Sequence, residues 1–352
     1  MTLAIPDLVD RLLTWYDQHG RQLPWRENPD PYGIWVSEIM LQQTQVATVI
    51  PYYERFMQAL PRVENLAAVD QDRLNKLWQG LGYYSRARHL KAAAEQMVRE
   101  TAGELPDRAA DLVKLPGIGP YTAGAVASIA FGERTPAVDG NVMRILSRLT
   151  ADETPVNTSK SRAHYTPLAD RLVPAHRPGD FNQALMDLGA TICIPKSPRC
   201  PSCPWQEGCL AYTQGRTQDL PRREKRAKRK IHTYTVLLLR YNKKVYVRRR
   251  PAKGLLAGLW EFPRLEGHLS AQAVQAHLDD LGFAPEAPAY LGASTHLFTH
   301  LEWRMEAFMV TCHRAPNLAE GQWVSREVLN QDLSLPSAFA PWLAQVNKDT
   351  AF

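Results

Sequence analysis

The sequence of 352 residues has no apolar run long enough to cross a membrane. Its longest such run, residues 123–131, is interrupted by Gly124 and Ser128, whereas a membrane-spanning helix needs about 20 apolar residues. The N-terminal apolar stretch contains acidic residues, so we expect no signal peptide there. Both absences argue against membrane and secreted classes, and we expect a cytoplasmic protein with no membrane partner.

Net charge is also small outside one short segment. The chain has 42 Lys and Arg residues against 36 Asp and Glu residues, which gives a net charge of +6. Residues 222–230 carry seven basic residues and one acidic residue, and therefore hold the whole excess. We interpret residues 214–230 as a linker between domains at 1–213 and 231–352. For this basic segment, a solvated connector and a direct contact with DNA both stay open.

Strand-like alternation is nearly absent before residue 230. Apolar residues there recur at the three- and four-residue spacing of buried helix faces, and this region is predicted to be an all-α domain. One such pattern predicts helix across residues 35–57. After residue 230 the pattern predicts an α+β domain, with a hairpin of residues 234–240 and 244–249, a helix over 271–281 and a strand over 301–312.

Cysteine is scarce, but four of the five cysteines lie within seventeen residues with the spacing C-x6-C-x2-C-x5-C: Cys193, Cys200, Cys203 and Cys209. Without a secretory signal, a disulfide framework is not expected. Only Cys200 and Cys203 have the spacing of a structural zinc knuckle, so the set favours a cubane [4Fe-4S] cluster over zinc. Lys196 and Arg199 lie in the longest gap and can present charge to phosphate groups.

Two glycines separate short helical patterns at residues 115–119, which read Leu-Pro-Gly-Ile-Gly. Gly117 and Gly119 let the backbone turn tightly and let its amides approach an anion. The pattern over about 107–131 therefore indicates a helix-hairpin-helix that holds a DNA phosphate. An ordinary turn between two helices, with glycine as a cap, stays open as the alternative.

Two carboxyl groups are candidates for acid–base chemistry. Glu38 lies among Trp35, Ile39 and Met40, where burial would raise its pKa as a general acid requires. Asp139 precedes a helical pattern, where amides at the helix start would keep a carboxylate ionised. A solvent-facing glutamate and a simple N-cap aspartate are the alternatives.

Together these features resemble the endonuclease III superfamily of base-excision DNA glycosylases. The resemblance rests on the glycine hairpin, an aspartate about twenty residues beyond it and the cysteine spacing. Within the superfamily, the stretches SEIMLQQTQV, VDGNVMR and FNQALMDLGATIC look like adenine DNA glycosylases of the MutY type. That family carries a C-terminal domain similar to Nudix hydrolases, which GLLAGLWEFP at 254–263 matches. The implied fold is an all-α helix-hairpin-helix domain with an iron–sulfur loop at 193–209, followed by a Nudix-like α+β domain.

The resemblance also implies roles for the candidate catalytic residues. Glu38 matches the family's glutamate that protonates adenine near N7, and Asp139 matches the aspartate that stabilises the positively charged sugar. Asn141 lies where the family places a polar partner for Asp139. Tyr121 stands where strand-nicking relatives have a lysine that forms a Schiff base, so the resemblance implies a monofunctional enzyme that leaves an abasic site.

Base-contacting residues are implied in the same way. Arg26 and Gln183 would contact the extruded adenine, and Trp25 would form part of the pocket wall. Gln43 and Tyr83 would insert into the duplex near the lesion.

The second domain carries a loop that matches the family's contact with 8-oxoguanine, which is usually Phe-Ser-His. Here it is Phe298, Thr299 and His300, and the threonine keeps a hydroxyl while adding a methyl group. The Arg-Glu pair and the glutamates of a Nudix box have no clear counterpart in residues 275–283, so we expect no diphosphatase activity.

The implied function is removal of adenine mispaired with 8-oxoguanine or guanine in double-stranded DNA. The resemblance implies a monomer, associated with the nucleoid in a bacterium, whose basic linker offers a docking point for repair or replication proteins. Two alternatives stay open. An endonuclease III-like enzyme for oxidised pyrimidines is disfavoured by Tyr121, Gln183 and the extra domain, and a non-catalytic iron–sulfur DNA-binding protein by the pair of carboxyls.

Overall fold

The computed structural model describes residues 3–27, 29–225, 228–316, 318 and 321–349. It divides into two compact units, residues 1–68 with 89–225 and residues 69–88 with 226–352. Arg226 and Ala227 of the predicted basic linker lie outside the described residues. Within the described ranges, no helix has the length and apolar character that a membrane crossing requires.

The first unit is built from helices, and its described residues include no β-strand, which confirms the all-α prediction. Helix α6 and the first residues of α7 belong to the second unit. In chain order the helices are α1 (Ile5–His19), α2 (Pro24–Glu27), α3 (Pro31–Leu41), α4 (Val46–Ala59), α5 (Val63–Ala68), α6 (Gln71–Trp78), α7 (Ser85–Thr101), α8 (Ala109–Leu112), α9 (Pro120–Phe131), α10 (Gly140–Thr150), α11 (Ser161–Leu172), α12 (Pro178–Thr191) and α13 (Leu210–Thr213).

The continuous helix predicted over residues 35–57 is wrong. Helix α3 ends at Leu41, and α4 begins at Val46 after a turn in which Gln43 has a φ of 59°. The turn lets α4 fold back and pack against α3. Helical spacing of apolar residues continues across the turn, so periodicity alone does not reveal one left-handed residue.

Helix α9 is buried along most of its length, because its sequence is small and apolar on every side. It packs against α3 and α12, while α1, α10 and α12 contribute to a neighbouring apolar cluster. Gly124 allows a close approach, since a Cβ there would lie 2.3 Å from the carbonyl oxygen of Pro136. This contact holds the chain segment that leads to Asp139.

A mixed β-sheet forms the second unit and confirms the α+β prediction. Its strands are β1 (Lys230–Tyr241), β2 (Lys244–Arg249), β3 (Trp260–Glu261), β4 (Arg264–Glu266), β5 (Ala289–Leu297), β6 (Leu301–Thr311) and β7 (Gly321–Ser325). The order is β3-β2-β1-β6-β5, with β4 paired to β1 and β7 paired to β2. Strands β1 and β6 run parallel, and the other pairs are antiparallel.

Helices α14 (Ala271–Asp280), α15 (Arg326–Gln331) and α16 (Ala340–Lys348) complete this unit. The predicted hairpin is present, and its turn residues are Asn242 and Lys243, both with positive φ. Two successive residues of this kind match the right-handed twist of the strands they join.

Residues 69–88 belong to the second unit although they lie far in sequence from its other residues, 226–352. The Lys76 Nζ donates to the carbonyl oxygens of Asn330 and Leu333, and the Ser334 hydroxyl donates to the carbonyl oxygen of Asn75 at 3.2 Å. Consequently Tyr83 belongs, by its contacts, to the second unit.

We predict that Gly124→Ala destabilises the protein by about 1–3 kcal/mol, because the added Cβ would overlap backbone rather than a movable side chain. Urea denaturation followed by circular dichroism measures the change. Gly140→Ala is the matched control, since nothing lies within 4 Å of its Cβ position, and it should be neutral or slightly stabilising. Equal stability of the two variants would contradict the close packing of α9.

Candidate active site and metal centre

One cavity of about 420 Å³ in the first unit brings together residues that are far apart in sequence. Helices α2, α3, α9, α10 and α12 all contribute to its lining. Seven residues predicted for the site share it: Trp25, Arg26, Glu38, Tyr121, Asp139, Asn141 and Gln183. Two carboxyl groups, a phenol and two amides therefore face one space large enough for a small planar ligand.

Glu38 lies in the middle of α3 and is buried, with 4% of its surface exposed. Burial raises the pKa of Glu38 from its ordinary value near 4.5 to about 7, and the nearby charge of Asp139 also raises it. A hydrogen bond from Tyr121 and the charge of Arg26 act in the opposite direction. Its Oε2 atom has no hydrogen-bond partner among the described residues. Glu38 is thus a carboxyl group that can hold a proton near neutral pH and has an oxygen free to deliver it.

Asp139 caps the N-terminus of α10. Its Oδ1 accepts hydrogen bonds from the backbone amides of Asn141 and Val142, both at 2.8 Å, and its Oδ2 accepts one from the Asn141 side-chain amide at 2.9 Å. Burial raises the pKa of Asp139, whereas these hydrogen bonds and the charge of Arg144 lower it, and the net direction is upward. From its N-cap position alone, Asp139 would be expected to have a lowered pKa. The sequence does not show that the side chain is also buried, and burial reverses the net direction.

Tyr121 lies in the first turn of α9 and lines the same cavity as the two carboxyls. Burial raises the pKa of its phenol well above 10, and the charges of Glu38 and Asp139 act in the same direction. The hydroxyl therefore keeps its proton at neutral pH and donates hydrogen bonds. It contributes no amine to the cavity.

Two arginines that line the cavity, Arg21 and Arg26, pair with Asp187, a residue that sequence reasoning missed. Asp187 is fully buried on α12 and accepts hydrogen bonds from both Arg21 and Arg26, with the Arg26 contacts at 2.9 and 3.0 Å. Hydrogen bonds and charge from the two arginines hold the pKa of Asp187 below its usual value despite burial. The sequence feature that could have revealed Asp187 is its i, i+4 spacing from Gln183, which places both residues on one side of α12.

Asp187 fixes the orientation of Arg26 through two parallel contacts. The Nε atom of Arg26 is buried and has no hydrogen-bond partner among the described residues. A buried donor without a partner is costly, so a ligand that accepts a hydrogen bond there would be favoured.

The glycine hairpin follows α8 and leads into α9. Gly117 has a φ of 78°, and a Cβ at this position would lie 2.5 Å from the Cβ of His89, so glycine is required both for conformation and for space. Gly119 is the N-cap of α9, and nothing lies within 4 Å of its Cβ position. The open space above Gly119 and the helix N-terminus fit an approaching anion.

The four clustered cysteines line a single cavity in the first unit, together with apolar side chains of α10 and α12. All four are free thiols, and burial raises the pKa of Cys200, of Cys203 to about 12, and of Cys209. No three His, Cys, Asp or Glu side chains among the described residues are arranged to hold one metal ion. The four cysteines nevertheless share one cavity, and four cysteine sulfurs are the donor set that a [4Fe-4S] cluster requires.

Two arginines of α10 connect to the cysteine loop. Arg144 donates to the carbonyl oxygens of Cys193 and Gly189, both at 2.8 Å, and to the side-chain oxygen of Asn141 at 2.9 Å. Arg148 donates to the sulfur of Cys193 at 3.4 Å. Sequence reasoning identified neither arginine, although their i, i+4 spacing is visible within VDGNVMRILSR.

The remaining predicted contacts of the first unit lie outside the cavity of Glu38. Gln43 is exposed in the turn between α3 and α4, with its φ of 59°. Lys196 and Arg199 are exposed on the loop between the first two cysteines. Their charges are available to solvent and to phosphate groups.

In the second unit, the structure brings Tyr83 and the loop between β5 and β6 together. The Tyr83 hydroxyl lies 3.1 Å from the Thr299 Oγ1, within hydrogen-bond distance. Tyr83 has a φ of 48° and is 45% exposed, and the Arg86 guanidinium lies 5.4 Å from its ring. The Phe298 ring packs against Trp303 at 4.9 Å, while His300 is exposed.

We predict that Glu38 makes stability depend on pH in one direction. The folded protein keeps this proton up to about pH 7, whereas the unfolded chain loses it near 4.5. Native protein therefore binds more protons in this window, and the free energy of unfolding should fall as pH rises through it, by on the order of 3 kcal/mol from this group. Glu38→Gln removes the titration, so the variant should gain stability relative to the unmodified protein between about pH 5 and 8.

Urea denaturation at steps across this range measures the difference between the two proteins. Glu54→Gln, at an exposed position on α4, is the matched control. A difference between Glu38→Gln and the unmodified protein that does not change with pH would contradict the buried, protonated carboxyl.

Comparison with known proteins finds relatives for both units. Residues 36–167 match the family model of the HhH-GPD superfamily of base excision DNA repair proteins, and residues 234–345 match that of the NUDIX domain. The adenine DNA glycosylase of Mus musculus is 39% identical, over 87% of this chain and 70% of its own length. That of Buchnera aphidicola subsp. Baizongia pistaciae is 36% identical over 72% of each chain.

Solved structures agree with the helical fold. A thermostable thymine-DNA glycosylase matches with a TM-score of 0.55 at 31% identity, over 60% of this chain and 97% of its own. An endonuclease III in a non-covalent DNA complex has a TM-score of 0.51 at 23% identity and shows the fold alone. From the extent of the match to the mouse and Buchnera proteins, the chain belongs to the adenine DNA glycosylase family within the HhH-GPD superfamily.

Proposed function

We propose that this protein hydrolyses the N-glycosidic bond of adenine mispaired with 8-oxoguanine or guanine in double-stranded DNA. One observation carries the proposal: Glu38 and Asp139 line the same buried cavity, and burial shifts the pKa of both. Paired carboxyls in one pocket are the recurrent arrangement for glycosidic bond cleavage. Membership of the adenine DNA glycosylase family supports adenine as the base.

The reaction requires adenine to leave the duplex and enter the cavity. Trp25 in the wall supplies an apolar surface, and Arg26 and Gln183 supply polar groups for the base edge. Asp187 holds the guanidinium of Arg26 in place. Adenine N7 and N3 carry no proton and accept hydrogen bonds, so donors in the wall can bind them.

Glu38 then acts as the general acid. It transfers its proton to adenine near N7, which makes the base a better leaving group, and the bond between C1′ and N9 breaks with both electrons going to the base. The sugar is left with positive charge at C1′. Water adds to C1′, and its proton returns to the Glu38 carboxylate, so the acid is regenerated.

Asp139 stabilises the positive charge on the sugar as a carboxylate held by three hydrogen bonds. Tyr121 lines the same cavity as Glu38, and its phenol cannot form a Schiff base with C1′. We therefore propose a monofunctional enzyme that leaves an intact strand with an abasic site.

We propose that backbone amides and individual basic side chains bind the DNA. The amides near Gly117 and Gly119, together with Lys196 and Arg199, are proposed to hold phosphates. We propose that Cys193, Cys200, Cys203 and Cys209 hold one [4Fe-4S] cluster, which would supply a rigid, charged frame for residues 194–199.

In the second unit, Tyr83 and the Phe298–Thr299–His300 loop are proposed to contact 8-oxoguanine, and Gln43 to insert beside it.

The decisive experiment is single-turnover base release from four duplexes, which carry A:8-oxoguanine, A:G, T:G and thymine glycol. We expect release of adenine from the first two, strand breaks only after alkali, and no efficient borohydride-trapped adduct. Glu38→Gln should slow release by about 10²–10⁴-fold while mismatch binding persists. Release by the unmodified protein should decline above about pH 7, because Glu38 then loses the proton it donates.

Glu54→Gln serves again as the control, with an expected rate equal to that of the unmodified protein. Release of thymine or thymine glycol in place of adenine would refute the proposed substrate. Efficient adduct trapping would refute the monofunctional mechanism alone.

We also expect Tyr83 and Thr299 to recognise 8-oxoguanine jointly, because their hydroxyls lie 3.1 Å apart. Tyr83→Phe and Thr299→Val should each weaken binding to an A:8-oxoguanine duplex by about 2–10-fold. The double variant should lose no more than the larger single loss, since either change removes the same hydrogen bond. Binding is measured in the Glu38→Gln background so that adenine is not released.

Thr299→Ser keeps the hydroxyl and is the matched control, with affinity expected to stay within about twofold of Thr299. Losses that simply add in the double variant would show that the two hydroxyls act independently.

A further inference from the structure

Arg148 is a buried cation without a carboxylate partner. It is 2% exposed, and among the described residues no Asp or Glu forms a salt bridge with it. A buried guanidinium normally requires a paired negative charge, because hydrogen bonds to neutral groups only partly recover the free energy lost on desolvation. Its position therefore raises the question of which group balances its charge.

The hydrogen bonds of Arg148 all lead to the cysteine loop and the chain that follows it. Nε donates to the carbonyl oxygen of Leu220 at 2.9 Å, Nη1 to that of Ile194 at 2.8 Å, and Nη2 to that of Pro195 at 3.0 Å. These acceptors are neutral. The remaining bond, from Nη1 to the sulfur of Cys193 at 3.4 Å, is the contact to a group that can carry negative charge.

Other charged groups around Arg148 also point to the cysteines as its partner. Arg144, one turn earlier on α10, is also buried and adds a second positive charge beside the first. The positive charge of Arg148 also acts on a second cysteine, because burial raises the pKa of the Cys200 thiol and this charge opposes the rise. All four cysteines and Arg148 line the same cavity.

We infer that Arg148 is the buried counter-charge of the cysteine centre, positioned to balance the negative charge of the thiolates and of the cluster they hold. The inference rests on the proposed iron–sulfur centre and adds a residue that stabilises it by charge. Arg148 is a positioning residue, because it contacts a ligand of the centre and no reacting atom.

A purely structural role makes a different prediction from a charge role. If Arg148 only ties together the carbonyls of Leu220, Ile194 and Pro195, then lysine and methionine should be equally poor replacements, because both lose the planar fork of donors. If its charge is what matters, Arg148→Lys should retain much of the effect that Arg148→Met loses. The two variants have similar aliphatic stems, so their comparison isolates the charge.

The test uses the purified full-length protein with its iron in place. The rate at which visible cluster absorbance disappears in excess iron chelator is measured for each variant. We expect Arg148→Met to lose iron about tenfold faster than the unmodified protein and Arg148→Lys to lie clearly closer to the unmodified rate. Arg11→Met is the control, since Arg11 pairs with Glu207 in the same loop at the surface, and its rate should be unchanged.

The reduction potential of the cluster is a second readout. If Arg148 had only a structural role, lysine and methionine would not differ in their effect on this potential. A cation near the sulfurs favours the reduced, more negative cluster, so Arg148→Met should shift the midpoint to a lower potential and Arg148→Lys should leave it nearly unchanged. Equal effects of lysine and methionine on iron loss and on potential would overturn the inference. Absence of iron from the unmodified protein would instead overturn the proposed cofactor, so the two failures are distinguishable.

Discussion

The charged groups buried along α10 are the constraint on which the first unit depends. Asp139 caps the start of this helix, and Arg144 and Arg148 follow one and two turns later, with each arginine bonded to the cysteine loop. Residues 142–149 of the helix are buried, so neither arginine is solvated by bulk water, and Asp139 is partly buried. Each must find its partners inside the protein, and those partners are the backbone carbonyls, Asn141 and Cys193. One helix thereby ties the position of a proposed catalytic carboxylate to the integrity of the proposed metal centre.

The two carboxyls of the cavity show how local partners separate groups that burial affects alike. Burial raises the pKa of both Glu38 and Asp139. Asp139 is then given three hydrogen-bond donors that favour its ionised form, whereas Glu38 keeps one oxygen without a partner. The first arrangement suits a fixed negative charge, and the second suits a group that exchanges a proton. Chemical roles are thus assigned by the neighbours of each carboxyl, with burial as the common background.

In the second unit, the residues that form the core and the residues proposed to contact the lesion lie in different segments. Its sheet is an ordinary α+β core, and the residues proposed to contact the lesion lie on a loop and on a segment that the chain supplies from residues 69–88. Lys76 and Ser334 hold that segment through hydrogen bonds to backbone carbonyls. Thr299, which departs from the serine usual in the family, is placed where its hydroxyl meets that of Tyr83. The additional methyl group therefore sits beside a contact that the serine would also make.

Much of this molecule was determined by local sequence. Helical spacing of apolar residues specified an all-α region, alternation specified the later strands, and the cysteine and glycine motifs indicated a candidate metal loop and a hairpin, because each of these signals depends on neighbours within a few residues. The sequence also proposed Glu38 and Asp139, which the structure places in one cavity. It did not predict the break at Gln43, the bonding of Arg26 to Asp187, the packing of residues 69–88 with the second unit, or the burial of Arg148 against Cys193. These features join residues that are distant in the chain, and the free energy that selects them comes from burial and charge pairing in the folded protein, so only the tertiary structure decided them.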